Sequence, residues 1–245
     1  MTETPDTFGP YTIVRGQYGR HPVVFAVDHP EDVIQRHHAQ GRFYERPELA
    51  MIRKAFPANG RFIDIGANVG NHTLFAALVM NAREVVPVEP NARAYNILRA
   101  NILINAVEDR VDAAWLGFGV GAEAAGGFSL RAPKSNLGAG RMVPEGGNIP
   151  VITGDHVVGD APADFIKIDT EGMEMAVLAG LETTIARDRP AMFIESDDQE
   201  REAFLAWVEA HAYVILDTYK RYKVGENFLL VAEEKSKEAA RAYHA

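Results

Sequence analysis

The chain has 245 residues, of which 47% are hydrophobic and 24% charged, an ordinary globular composition that excludes wholesale disorder. Its formal net charge of -9 and its scattered Lys and Arg residues argue against a nucleic-acid partner, because the chain would repel a phosphate backbone. Cysteine is absent, which excludes disulfides, thiolate metal sites and a cysteine nucleophile.

The start of the chain carries no sign of a targeting segment. Residues 1–10 are polar and acidic and lack the basic start and apolar stretch of a signal peptide. The apolar runs elsewhere are strand-sized, far short of the roughly 20 residues that cross a bilayer. We therefore expect a cytoplasmic protein with no membrane association.

The N-terminal part contains two β-rich segments followed by a helical stretch. Residues 11–27 read YTIVRGQYGRHPVVFAV, and the glycines between the two apolar runs predict a β-hairpin. Residues 31–55 carry apolar positions at helical spacing. We therefore expect a small hairpin and helix extension over residues 1–56, ahead of a main domain over residues 57–245.

The main domain alternates strands and helices. Strand-like segments are RFIDIG, EVVPVEP, RVDAAWLG, ADFIKID, PAMFIES, YVILD and NFLLV. Helices are predicted over residues 71–80, 92–105, 173–187 and 199–210, followed by a solvated helical tail. This alternation predicts a doubly wound, Rossmann-like α/β sheet with parallel strands and right-handed crossovers. Residues 117–147 are rich in Gly and Ala, and we expect a loop or hairpin insertion there, near the substrate.

The motif DIGANVG lies where an apolar strand ends and a helix begins. In open α/β sheets, ligands bind beyond the carboxyl ends of the strands, so this turn is the expected cofactor loop. Its spacing is D-x-G-x-x-x-G, not the G-x-G-x-x-G of dinucleotide-binding turns. Asp64 would repel a pyrophosphate, but it suits S-adenosylmethionine, which carries an ammonium and a sulfonium. We assign Asp64, Gly66, Asn68 and Gly70 to the binding of that cofactor.

The second strand of the main domain ends in VEP. Glu89 therefore projects from its tip, about 20 residues beyond the glycine turn, where an acid accepts hydrogen bonds from ribose hydroxyls. Because NAD enzymes share such an acid, Glu89 indicates an adenosine cofactor and the glycine spacing selects S-adenosylmethionine. An NAD-dependent oxidoreductase and a non-catalytic nucleotide-binding protein remain as alternatives.

Together these motifs resemble the FkbM-type methyltransferases, which use S-adenosylmethionine. The matching segments are RFYE (residues 42–45), FIDIGANVGNHTL, VVPVEPNARAYNILRANILIN, FIKIDTEGMEMAVLAGL and FIES. KIDTEGME, in order after DIGANVG and VEP, makes the resemblance specific. It implies a class I methyltransferase sheet and O-methylation, occasionally N-methylation, of hydroxyl-bearing sugars or natural products. Gly154 and His156 depart from the family pattern, which leaves the acceptor open.

Acidic residues gather at the tips of the fourth and fifth strands. Along FIKID the side chains alternate, so Lys167 and Asp169 share one face, with Asp169 beside the cofactor crevice. Methyl transfer to oxygen requires an aligned acceptor and a group that takes its proton. Asp169, Glu171 and His72 are the candidate bases, Lys167 is placed with them in the catalytic set, and Asp169 is also assigned to the cofactor site.

Two other interpretations of these residues stay open. Asp169 and Glu195 at adjacent strand tips could hold Mg²⁺ through oxygen ligands and leave coordination sites to a vicinal diol. We do not favour a metal, since the chain shows no compact ligand motif. Alternatively, Lys167 pairs with Glu195, while Asp169 and Glu171 cap the helix that begins near Gly172.

Two further patterns are set aside. Tyr219 and Lys223 have the Y-x-x-x-K spacing of short-chain reductases, but they lie between the last two strands instead of on a helix. His37 and His38 are adjacent and diverge on a helix, which argues against joint metal ligation. The expected partner is a small-molecule or saccharide acceptor, with no nucleic acid.

Overall fold

A computed structural model describes residues 10–131, 140–221 and 225–244 of the chain. The strands are β1 (Thr12–Tyr18), β2 (His21–Val27), β3 (Arg61–Ile65), β4 (Glu84–Val88), β5 (Gly119–Gly121), β6 (Ala125–Arg131), β7 (Arg141–Val143), β8 (Ile149–Thr153), β9 (Phe165–Ile168), β10 (Ala191–Ser196), β11 (Tyr213–Tyr219) and β12 (Glu226–Ala232). The α-helices are α1 (Gln35–His38), α2 (Arg46–Ala55), α3 (Asn71–Leu78), α4 (Ala92–Ile104), α5 (Gly154–Val158), α6 (Glu174–Ala179), α7 (Glu182–Asp188), α8 (Arg201–Ala210) and α9 (Ser236–His244).

The main sheet has six strands in the order β11-β12-β10-β9-β3-β4. The four strands β4, β3, β9 and β10 run parallel, whereas β12 pairs antiparallel with both β10 and β11. The carboxyl ends of the parallel strands therefore share one edge of the sheet. This arrangement confirms the predicted doubly wound α/β fold.

Both faces of the sheet are buried under helices. Phe62 and Phe165 stack in the core on one face, with their ring centroids 5.4 Å apart. Ile63 and Ile166 belong to the core on the opposite face. Since side chains alternate along a strand, Lys167 lies on the Phe165 side of the sheet.

The prediction of one continuous strand over RVDAAWLG is wrong. Only two isolated parallel bridges form there, Val85 to Val111 and Glu89 to Leu116, at the edge of the sheet beside β4. Between them Asp112 accepts a hydrogen bond from the Ala114 backbone and starts a 3-10 turn. The turn interrupts the ladder that the apolar pattern predicts.

The helix predicted over residues 173–187 is two helices. Gly180 sits between α6 and α7, where an added Cβ would lie 2.1 Å from the backbone oxygen of Gly121. The break lets the chain pass against β5.

The predicted insertion contributes β5, β6 and β7, which form a four-stranded sheet with β8, and its residues 132–139 lie outside the described residues. Lys223 of the Y-x-x-x-K pattern lies outside them as well.

The N-terminal hairpin is joined to the main domain by Asn101 of α4 and by Asn105, which directly follows that helix. Asn101 accepts from the Ala26 backbone at 2.7 Å and donates to the Val69 carbonyl at 2.8 Å. Asn105 both accepts from and donates to the Val24 backbone. The edge of β2 is thereby bonded to side chains, and its apolar residues share a core cluster with Phe62 and other main-domain residues.

The C-terminal helix is less solvated than its composition predicts. Tyr243 of α9 is buried, and its hydroxyl donates to an Asp217 carboxylate oxygen at 2.6 Å. In the described parts of the chain, no helix combines the length and apolar character that a bilayer crossing requires.

Replacing Asn101 by Ala should destabilise the protein, because it leaves the buried Ala26 N–H and Val69 C=O without partners. Each such group costs about 1–3 kcal/mol, so we expect the free energy of unfolding to fall by roughly 2–4 kcal/mol in urea titrations. Leu103→Ala on the exposed side of the same helix is the control, with an expected change below about 0.5 kcal/mol. Equal losses in the two variants would contradict this account.

Candidate active site

A cavity of about 490 Å³ lies at the carboxyl ends of β3, β4, β9 and β10. Its size falls within the range of small-ligand sites, about 300–1,000 Å³. Its walls come from the glycine turn, the tips of the parallel strands, the inserted sheet and the segment before α2. The charged residues that line it are Glu45, Glu89, Arg141, Lys167, Asp169, Glu171, Glu174, Glu195 and Asp197.

The glycines of the DIGANVG turn allow close backbone contacts. Gly66 has a φ of +80°, and an added Cβ would lie 1.8 Å from the Asp169 backbone oxygen. Gly70 has a φ of +90°, and an added Cβ would lie 2.4 Å from a Leu98 methyl. Gly66 therefore lines the cavity where β3 and β9 meet. Gly70 instead lies outside the lining and serves the packing of α3 on α4.

Glu89 is placed as the sequence predicts, at the tip of β4 in the cavity wall. One carboxylate oxygen accepts from the Asn68 backbone at 2.8 Å, and the other accepts from the Asn91 backbone at 2.8 Å. Burial raises the pKa of Glu89 to about 7, although these two hydrogen bonds oppose the shift. The carboxylate is thus fixed by the glycine turn, and each oxygen keeps a lone pair for a ligand.

Asp64 lies behind the cavity wall instead of in it. Its side chain is fully buried, accepts a hydrogen bond from the Thr73 hydroxyl at 2.6 Å and stays outside the lining. Its other oxygen is 3.6 Å from the Lys167 ammonium. Asp64, predicted to contact the cofactor directly, thus does not line the cavity, and it contacts Lys167, which does.

Lys167 is buried among oxygen atoms at the tip of β9. Its ammonium donates to the Gly66 carbonyl at 2.7 Å and lies 3.3 Å from Asp169. Burial alone would lower the pKa of Lys167, but Asp169, Asp64 and Glu45 outweigh burial and raise it above its usual value. Lys167 is therefore a permanent cation that cannot serve as a base near neutral pH. It pairs with Asp169 and Asp64, and not with Glu195 as in the alternative interpretation.

The predicted acids of the fourth and fifth strands do meet in the cavity. Ile168 pairs with Ile194 across β9 and β10, so Asp169 and Glu195 follow at neighbouring tips. Glu171 lines the cavity on the next turn. Burial and the Asp169 charge raise the pKa of Glu171 to about 7, and the Asp169 charge and burial raise the pKa of Glu195.

The alternative interpretation, in which Asp169 and Glu171 cap the next helix, is not observed. Glu174, the first residue of α6, instead closes the turn before the helix, since one of its oxygens accepts from the Thr170 backbone, the Thr170 hydroxyl and the Gly172 backbone. Glu174 is the last residue of the KIDTEGME motif, so the motif itself pointed to this residue. Asp169 and Glu171 are left facing the cavity.

His72 and Glu45 form a second pair in the cavity wall. His72 is buried on the first turn of α3, and its Nε2 lies 3.8 Å from a Glu45 oxygen. Burial lowers the pKa of His72 well below its usual value, so the ring is neutral at pH 7. Burial and the Asp169 and Glu48 charges raise the pKa of Glu45 to about 8. Sequence reasoning did not select Glu45 as a site residue, although it ends the RFYE segment.

The remaining sequence candidates are structural or do not form a site. His38 is buried, stacks on Phe25 with ring centroids 4.2 Å apart, and contacts Asn71 at 3.2 Å. Across residues 10–131, 140–221 and 225–244, no three His, Asp or Glu side chains are grouped so that they could hold a metal ion. Asp169 and Glu195 thus lack a third protein ligand among the described residues.

A protein-family model matches the part of the chain that contains the glycine turn and the parallel strand tips. The model described as the methyltransferase FkbM domain matches residues 64–216, more than half of the chain. Membership of such a family implies S-adenosylmethionine as methyl donor. No curated protein matches the chain significantly.

Solved structures with a similar fold are also methyltransferases. The FkbM methyltransferase from Methylobacillus flagellatus KT is 20% identical with a TM-score of 0.52, covering 70% of this chain and 44% of its own. The M. jannaschii tRNA m1G37 methyltransferase is 14% identical with a TM-score of 0.53, covering 91% and 55%. Methanocaldococcus jannaschii Trm5 in complex with adenosine is 14% identical with a TM-score of 0.52, covering 92% and 56%.

At these identities the likeness shows the fold alone, the Rossmann-like fold of class I methyltransferases. The chain spans about half the length of these solved structures.

The crowded acids should make the unliganded protein less stable as the pH rises. Glu45 has a pKa of about 8 in the folded protein and an ordinary value of 4.5, and the pKa of Glu195 is raised in the same direction. The folded state therefore binds more protons than the unfolded state in this range, so stability falls with increasing pH. We expect the free energy of unfolding to fall from pH 7 to pH 8.5.

Urea titrations at several pH values test this expectation. His72 does not interfere, because its pKa lies well below this range. Glu195→Gln should flatten the decline, since it removes one of the titrating acids. A wild-type stability that is constant or increases over this range would contradict the acid cluster as described.

Proposed function

Because the chain belongs to the FkbM family of methyltransferases, we propose that it transfers a methyl group from S-adenosylmethionine to a hydroxyl of a sugar or another small natural product. The observation that carries this proposal is the set of carboxyl groups beside the glycine turn. Asp169, Glu171 and Glu195 face one cavity that also contains Glu89. The same cavity therefore contains a carboxyl group that can accept hydrogen bonds from ribose hydroxyls and other carboxyl groups that can take a hydroxyl proton.

The donor is held from the tip of β4 across the glycine turn. Glu89 is fixed by two backbone N–H groups, and its free lone pairs would accept hydrogen bonds from the ribose hydroxyls. Gly66 and Asn68 line the path from there toward Asp169. When bound, S-adenosylmethionine supplies a methyl group on a positively charged sulfur.

Methyl transfer breaks the sulfur–methyl bond, forms an oxygen–methyl bond and requires a base for the hydroxyl proton. We assign the proton to Asp169, which sits beside the crevice and is held 3.3 Å from the Lys167 ammonium. Lys167 orients this carboxylate, and it is itself fixed by the Gly66 carbonyl. Alignment of acceptor and base is a large part of such catalysis.

Glu171 and His72 are the alternative bases. Glu171 has a pKa of about 7, near the value at which a general base works best at neutral pH. His72 is neutral and faces the cavity, but a pKa well below the usual value makes it a weak base. We therefore place Glu171 second and His72 third.

The acceptor is proposed to be a small molecule without phosphate groups. Among the described residues that line the cavity, seven carry carboxyl groups and two, Lys167 and Arg141, carry positive charge. Such a field repels a phosphate backbone. An amine acceptor is the second candidate, since the same acids would attract a cationic nitrogen. We include no Mg²⁺ in the mechanism.

The donor assignment is tested by ligand-dependent thermal stability. S-adenosylhomocysteine should raise the melting temperature and NAD(H) should not, because a ligand that binds the native state stabilises it. Glu89→Ala should weaken S-adenosylhomocysteine binding in calorimetry by about 1–3 kcal/mol through lost charge-assisted hydrogen bonds. Stabilisation by NAD(H) alone would overturn the assignment, and unchanged affinity in the variant would remove Glu89 from the ribose site.

The role of Asp169 is tested by Asp169→Asn, which keeps the shape and removes the proton-accepting charge. With the best acceptor from a panel of hydroxylated compounds and labelled S-adenosylmethionine, the rate should fall about 10²–10⁴-fold, the usual contribution of a general base. Glu171→Gln is the comparison variant and should cost less. Full activity of Asp169→Asn together with a loss in Glu171→Gln would transfer the role to Glu171. A complete lack of transfer in the wild type would support a non-catalytic binding protein.

A further inference from the structure

The segment before α2 is tied to the glycine turn of the donor site. The Tyr44 backbone donates to the Asn71 side-chain oxygen at 2.9 Å, and the Asn71 amide donates back to the Tyr44 carbonyl at 3.2 Å. Asn71 is the first residue of α3, which begins where the glycine turn ends. Glu45, the next residue after Tyr44, is therefore held beside that turn.

Glu45 adopts a backbone conformation that is unusual for its side chain. Its φ of +54° and ψ of +41° lie in the left-handed region, which is strained for a residue other than glycine. Its side chain lines the cavity, and no described residue donates a hydrogen bond to its carboxyl group. Strain of this kind persists where the surrounding structure fixes it, and here it accompanies an unpaired acid in a binding cavity.

Four other acids around the glycine turn already have partners. Asp64 is wholly buried outside the cavity lining, and Asp169 is paired with Lys167. Glu89 accepts two backbone hydrogen bonds, and Glu174 closes its own turn. Glu171 and Glu195 line the cavity at the ends of β9 and β10, whereas Glu45 lies at the end of the glycine turn. The ammonium of an amino-acid ligand beside that turn would therefore meet the free oxygens of Glu45.

A second, independent observation comes from His72. Its Nε2 is buried, has no hydrogen-bond partner among the described residues, and belongs to a side chain of the cavity lining. It lies 3.8 Å from the Glu45 carboxyl group. A buried polar atom without a partner is costly, and a polar ligand group placed between the two side chains would satisfy it.

We propose that Glu45 binds the α-ammonium of the methyl donor and that His72 contacts the same amino-acid end. This inference rests on the proposed function, in which Glu89 holds the ribose. Glu89 contacts the glycine turn at Asn68, and Lys167 contacts the turn at Gly66 and lies 3.3 Å from Asp169. Glu45 is held at the end of the same turn through the contact between Tyr44 and Asn71. A donor that starts at Glu89 and passes Lys167 and Asp169 therefore reaches Glu45 with its methionine end.

Two ligands that differ only at this end test the proposal. S-adenosylhomocysteine carries the amino acid, whereas 5′-methylthioadenosine has the same adenosine and thioether without it. Glu45→Gln keeps the size of the side chain and removes its charge. Calorimetry should show S-adenosylhomocysteine binding about 10- to 100-fold more weakly to Glu45→Gln than to the wild type, with methylthioadenosine binding unchanged.

Unchanged methylthioadenosine affinity also shows that the variant is folded with an intact adenosine site. Glu31→Gln, which alters an exposed glutamate of the same N-terminal part outside the cavity, is the matched control and should bind both ligands as the wild type does. Unchanged S-adenosylhomocysteine affinity in Glu45→Gln, or an equal loss for both ligands, would overturn the role of Glu45 alone. Failure of the wild type to bind S-adenosylhomocysteine would overturn the proposed function with it.

Discussion

The buried ammonium of Lys167 is the interaction on which the site depends. It joins the Gly66 carbonyl of the glycine turn to Asp169 at the tip of the neighbouring strand, and it lies 3.6 Å from the wholly buried Asp64. Without this cation, Asp64 would be an uncompensated charge in the core, which is strongly destabilising. The same contact fixes the distance between the donor loop and the proposed base.

A cavity with many more acids than cations is suited to a positively charged ligand. Glu45, Glu89 and Glu171 all have raised pKa values, with burial as the largest cause of each shift. A bound cation relieves the repulsion among such groups and favours their ionised forms. The proposed donor carries a sulfonium and an ammonium, both of which these acids attract. The same group of acids therefore serves donor binding and methyl transfer.

The N-terminal extension is part of the site as well as of the core. His38 stacks on Phe25 of the hairpin and contacts Asn71, and Asn71 in turn holds Tyr44 beside the glycine turn. Hairpin, short helix and donor loop are thus linked by contacts between buried groups. The hydrogen bonds from Asn101 to the hairpin and to the Val69 carbonyl connect the same regions from the side of α4.

The sequence by itself determined the parallel sheet, the glycine turn and the positions of Glu89, Asp169, Glu171 and Glu195 at strand tips. It could do so because these features follow from local periodicity and from the rule that ligands bind at the carboxyl ends of parallel strands. The interruption of the third predicted strand at Asp112 was harder to predict from the sequence. The apolar pattern there is typical of a strand, and the hydrogen bond from the Ala114 backbone to Asp112, which starts the 3-10 turn, leaves no clear mark in that pattern.

Only the tertiary structure decided which side chains face each other. Asp64 and Lys167 are register partners on adjacent strands, and this pairing, which no local pattern specifies, turns Asp64 away from the cavity and Lys167 away from Glu195. Glu45 enters the site from a segment 19 residues ahead of Asp64, through the contact between Tyr44 and Asn71. Contacts between residues distant in the chain depend on how helices and strands pack, and therefore they become visible only in the folded protein.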